Sequence, residues 1–143
     1  MVIVDDALLL AVLAGTAPEE FAVALEEGEI ATTGSWYWRI GRALRDTAST
    51  GSLSRALTEL DPGRQAHVLA AIDDLPAAIN LPSLRHLVPV MTALRVGRPL
   101  NLLTAEAIAA AIVLDASIAV TTRSALLTES CDRLGVGLRL LSI

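Results

Sequence analysis

Hydrophobic positions in this chain come in short blocks separated by small polar groups, and the blocks are of two kinds. Val2-Ile3-Val4 is β-branched and shows no alternation, which predicts a short buried strand. Asp5-Asp6 ends it, and an apolar run from Ala7 to Ala14 predicts a helix closed by Gly15. Thr16-Ala17-Pro18-Glu19 places a Thr at a cap, an early Pro and an acid at the capping-box position. That pattern predicts a second helix reaching about Glu27. Glu29 to Thr33 predicts a second strand. Gly34-Ser35 opens a helix through Trp36, Trp38, Ile40 and Leu44.

The middle of the chain is less regular. Residues 46–54, "DTASTGSLS", are small and polar and predict a connector, followed by a helix to Leu60. Asp61-Pro62 starts another helix through Val68, Leu69 and Ile72. Residues 73–83 hold Pro76 and Pro82 and predict a loop. Leu84 to Arg95 is helical in pattern, with Pro89 kinking it or sitting in its first turns. Residues 96–103 predict a turn region with a short extended piece. The last third is clearer. Thr104 caps the helix "AEAIAAAIVLD", Ser117 to Thr121 is a strand, Ser124 caps a helix through Leu134, and Leu138 to Leu141 is a final strand. Strand and helix in this order predict a three-layer α/β/α fold around a central parallel sheet, in a single domain over residues 1–143.

Composition narrows the classes. The 143 residues suit one core, and 53% are hydrophobic. No apolar stretch approaches the ~20 residues that cross a bilayer, and no basic leader precedes an apolar segment. Cys131 is the sole cysteine, so no internal disulfide forms. These features predict a cytoplasmic protein away from membranes. A chain this hydrophobic also predicts a homodimer that covers apolar surface. The net charge of −5 argues against broad phosphate-backbone binding. Arg39, Arg42 and Arg45 still recur at helical spacing and make one basic face, read as solvated. Trp36, Tyr37 and Trp38 either stack bases beside Arg39 or pack into a core or a dimer contact. His67 and His86 lack metal-ligand spacing.

In open parallel sheets, ligands sit beyond the carboxyl ends of the strands. Asp5, Thr121 and the stretch Thr122-Arg123 fall at that rim. Glu106, read in the first turn of the helix before the fourth strand, joins them. Converging carboxylates need a cation between them. A divalent ion with oxygen ligands supplies one and activates water for phosphodiester hydrolysis. Asp5 and Asp6 otherwise cap the helix that follows, and Glu106 otherwise favours a helix dipole.

Three stretches carry a family resemblance. "VIVDDALLLAVL" resembles the opening strand of PIN domains, found in the toxin ribonucleases of bacterial toxin–antitoxin pairs. "TAEAIAAAIVLDASIAVTTRSALL" resembles their acidic helix, turn and Thr-x-Asp strand end, and "LGVGLRLL" resembles their last strand. The resemblance implies an Mg²⁺- or Mn²⁺-dependent ribonuclease with Asp5 and Glu106 as catalytic metal ligands, aided by Asp6. It also implies RNA as substrate and a small antitoxin-like partner. Two of the four acidic positions of such a site are missing. "GSWYWRIGRAL" has no acid near Tyr37 or Trp38, and Arg123 stands where Thr121-Thr122 should lead to an Asp. Arg123 is therefore expected to replace the cation by pairing with Asp5 or Glu106. Two functions stay open: a metal-dependent ribonuclease, and a PIN-like module without hydrolysis that binds or dimerises. An apolar surface groove is the structural feature that separates them.

Overall fold

The computed structural model describes residues 1–46 and 51–143. Five strands, β1 (Val2–Val4), β2 (Ile30–Ala31), β3 (Ile79–Asn80), β4 (Ser117–Val120) and β5 (Leu138–Leu140), form one sheet in the order β3-β2-β1-β4-β5. Every pairing is parallel. The helices are α1 (Asp6–Ala14), α2 (Glu19–Glu26), α3 (Gly34–Arg45), α4 (Ser52–Thr58), α5 (Pro62–Asp73), α6 (Leu84–Ala93), α7 (Leu102–Leu114) and α8 (Ala125–Leu134).

Side chains alternate across a strand, and the two cores follow from that. Val4, Ile30, Ile79 and Ala119 face one way and meet Leu8 and Leu9 of α1, Phe21 of α2, and Val68 and Ile72 of α5. Ile3, Ala31 and Ile118 face the other way and meet Leu87 of α6, Ile108 of α7, and Leu127 and Cys131 of α8. Helix α3 divides its side chains, with Ile40 in the first core and Trp36 in the second. This is the predicted three-layer α/β/α arrangement with a central parallel sheet, to which the structure adds a fifth strand. Helix α7 buries every residue from Thr104 to Ala111. Its alanines let the helix lie close to the sheet. No helix among the described residues is long and apolar enough to cross a membrane.

Several boundaries differ from the sequence reading. The loop expected over 73–83 contains β3, a two-residue strand held by Ile30↔Ile79 and Ala31↔Asn80 pairing. The Asn80 side-chain amide donates to the carbonyls of Gly28 and Ile30, which anchors it further. The extended piece expected between residues 96 and 103 is absent, and α7 already begins at Leu102. Asn101, not Thr104, caps α7: its Oδ1 accepts the Thr104 N–H at 2.8 Å. Glu106 therefore lies in the second turn, beyond the reach of a first-turn dipole argument. Thr16 does not cap α2, whose N-cap is Pro18 with no side-chain bond. The Thr16 N–H instead closes the end of α1 on the Ala11 carbonyl, after Gly15 turns the chain at φ 68°. Pro89 lies in the second turn of α6. The connector expected over 46–54 is cut short by α4 at Ser52, and residues 47–50 of it lie outside the described residues.

Candidate functional site: a closed acidic rim

Because the sheet is parallel, β1, β2 and β4 deliver their following residues to one edge. Asp5 leaves β1, Thr32 and Thr33 leave β2, and Thr121 leaves β4. The Thr32 hydroxyl donates to the Val4 carbonyl at 3.0 Å and ties the first two exits together.

Asp5 is 5% exposed. Its Oδ1 accepts the Leu8 N–H at 2.9 Å, which makes it the N-cap of α1. Its Oδ2 accepts the Thr121 N–H at 2.6 Å and the Thr121 hydroxyl at 2.9 Å. Sequence reasoning offered capping or charge pairing for the two adjacent acids. The structure divides the roles, with Asp5 capping and Asp6 pairing.

Asp6 is 8% exposed. Its Oδ1 accepts the Ala7 N–H at 2.8 Å. Its Oδ2 is buried and makes no hydrogen bond, although Arg39 Nε lies 3.1 Å away. The contact is thus one of charge, with the N–H directed elsewhere. Burial pushes the Asp6 carboxyl above its ordinary range, the Arg39 guanidinium pulls it down, and neighbouring Asp5 pushes it up again.

Glu106 is 2% exposed, and its carboxylate turns to the start of α3 and not to Asp5. Its Oε1 accepts the Gly34 N–H at 2.8 Å, and its Oε2 accepts the Ser35 N–H at 3.1 Å and the Ser35 hydroxyl. Thr33 Oγ1 accepts the Trp36 N–H at 3.2 Å. The first three N–H groups of α3, which no helical carbonyl can reach, are all satisfied this way. Glycine at 34 permits the approach, since a Cβ there would stand 3.1 Å from Glu106 Oε1.

The rim therefore gathers Asp5, Asp6 and Thr121, as expected, and adds Arg39. Arg123 does not join it. It is exposed just before α8, beside a cavity lined by Thr128, Glu129 and Asp132, and forms no ion pair among the described residues. The expected pairing of Arg123 with Asp5 or Glu106 is replaced by Arg39 with Asp6. The reason is that both of those carboxylates already hold backbone N–H groups. The only signal for Arg39 in the sequence was its place three residues after Trp36, whose burial sets which face of α3 turns inward.

Mg²⁺ or Mn²⁺ asks for several oxygens with free lone pairs and surplus negative charge. The residues present do not fit such an ion. Among the described residues no three of Asp, Glu, His and Cys converge, and the oxygens of Asp5 and Glu106 are turned to protein donors.

The aromatic cluster splits. Trp36 is 3% exposed, whereas Trp38 is 60% exposed with the Arg42 guanidinium 5.4 Å over its ring. The core reading holds for Trp36 alone. Trp38→Phe is expected to remove the acrylamide-quenchable part of the tryptophan emission, and Trp36→Phe to retain it. Equal quenching of the two variants would contradict this placement.

Two cavities open beside the rim. One, of about 290 Å³, is bordered by Asp6, Ala7, Arg39, Arg42 and Thr122. The other, of about 520 Å³, is an apolar groove along α1 and α4 lined by Leu10, Ala14, Leu53, Ala56, Leu60 and Ile143. No family model and no curated protein sequence matches this chain.

Proposed function

We propose that this chain is a PIN-like domain that binds a protein partner and does not hydrolyse RNA. The observation that carries the reading is the commitment of the rim carboxylates. Both oxygens of Asp5 and both of Glu106 accept protein N–H or O–H groups, and Asp6 carries Arg39. A metal ligand needs those lone pairs turned outward. Here they hold α1 and α3 in place.

The apolar groove along α1 and α4 supports a binding role, since it offers concave apolar surface next to polar groups at Thr121 and Thr122. A small antitoxin-like partner laying an apolar segment there fits this surface. Exposed Leu84 and Val88 lie one turn apart on α6, with exposed Leu81 just before the helix, and supply apolar surface for a homodimer. The compartment we propose is the cytoplasm. The lone thiol, Cys131, is buried and pushed up to about 11, which suits a structural cysteine.

The test is a calorimetric Mn²⁺ titration of the wild type beside Asp5→Asn, paired with single-stranded RNA incubated with and without Mn²⁺. The expected result is no heat of binding in either protein and intact RNA. Mn²⁺ binding that Asp5→Asn abolishes, with Mn²⁺-dependent cleavage, would restore the ribonuclease reading.

A further inference from the structure

We infer that Arg39 is an internal cation that keeps the rim closed to metal ions, and that replacing it with an acid turns the start of α1 into a divalent-cation site. This rests on the non-hydrolytic reading above and adds Arg39 to the committed carboxylates as its cause.

Asp6 Oδ2 is the anomaly. Buried carboxylate oxygens have hydrogen-bond partners in nearly all proteins, and this one has none. What stands against it is a positive charge, Arg39 Nε at 3.1 Å. The pairing neutralises Asp6 without directing an N–H to it. Such an arrangement suits a charge that takes the position of an ion more than one that builds a hydrogen-bond network. Asp5 adds a second carboxylate one residue away, close enough to act on Asp6 through charge. The end of β1 thus carries two acids and one guanidinium.

Arg39 reaches this place from solvent. Its side chain is half-exposed, while Asp6 is nearly covered. The space beside them, about 290 Å³, is also bordered by Arg42 and Thr122. At ~30 Å³ per water, that volume accommodates an ion with several retained waters. Two arginines on its wall oppose a cation there. Arg39→Glu removes one positive charge and adds one negative at the same point, which places carboxylates at positions 6, 39 and 46 on the wall of that space against Arg42.

The test is Mn²⁺ titration by calorimetry of the wild type, Arg39→Glu, Arg39→Gln and Arg123→Asp, with circular dichroism to verify folding. Arg39→Glu is expected to bind Mn²⁺ at least tenfold more tightly than the wild type. Arg39→Gln, which removes charge without adding an acid, should fall between them. Arg123→Asp should match the wild type. If Arg39→Glu does not fold without metal, a Mn²⁺-dependent gain in its melting temperature supports the inference, and Arg39→Gln decides it by titration. Folded Arg39 variants with no gain over a non-binding wild type would overturn this inference and leave the proposed function standing. Tight Mn²⁺ binding by the wild type would overturn both. An equal or larger gain in Arg123→Asp would move the cation's place to Arg123 and overturn the assignment to Arg39.

Discussion

Glu106→Ala lowers the melting temperature by roughly 10 °C. The side chain is buried in the second turn of α7 and accepts three hydrogen bonds from the first turn of α3. Two of the donors are the Gly34 and Ser35 N–H groups, which have no helical acceptor. Removing the carboxylate strands them near the protein interior and deletes a charge that favours a helix N-terminus. Bonds to a charged group and stranded donors of this kind together cost about 3 kcal/mol. At ~3 °C per kcal/mol for a chain of this size, the shift follows. Scanning calorimetry measures it. Glu106→Gln should lose less, because one oxygen remains while its amide N–H groups confront the same donors. The prediction separates two roles. A carboxylate kept for metal binding would be neutral or unfavourable to the metal-free fold, so an unchanged or raised melting temperature would refute the structural role.

Asp5→Ala is expected to cost about 3 kcal/mol, read as a shift of the urea midpoint at constant slope. Two losses contribute. The cap of α1 at the Leu8 N–H contributes about 1 kcal/mol, and the bonds to the Thr121 N–H and hydroxyl make up the rest. Thr121→Val removes only the hydroxyl and should cost about 1 kcal/mol. The double variant should cost less than the two singles together, because both remove the same bond. Strict additivity would show that the bond from the Thr121 hydroxyl to Asp5 contributes nothing in solution.

Much of the frame could be read from local pattern. Val2–Val4 and the apolar helix after it, Gly15 and Gly135 at φ 68° as helix ends, Asp61 and Ser124 as caps, and the 117–120 strand all follow from short-range chemistry. The elements that escaped are those held from a distance. Ile79–Asn80 lies between prolines and has no strand pattern of its own. It becomes a strand because β2 presents a free edge and Asn80 binds across it. Asn101 takes the cap from Thr104 because both residue types serve, and only packing against α6 and the sheet sets where α7 begins. The acids of the rim were found, and Thr121 was found beside them. The choice of Arg39 over Arg123 was not legible, because it depends on which face of α3 the buried Trp36 turns inward and on carboxylates already occupied by backbone donors.

The middle of the sheet joins distant parts of the chain. β1 lies between β2 and β4, and Asp5 meets Thr121 across 116 residues. On a ribosome, β1 and α1 emerge well before β4, whose exit residue Thr121 follows Asp5 by 116 residues. During that interval the apolar run of α1, buried on nearly every side once folded, has no sheet to cover it. Loop closure over this distance is slow relative to local helix formation. The nascent chain thus displays an apolar helix until β4 arrives, the kind of transient exposure that makes an unfinished fold prone to aggregation.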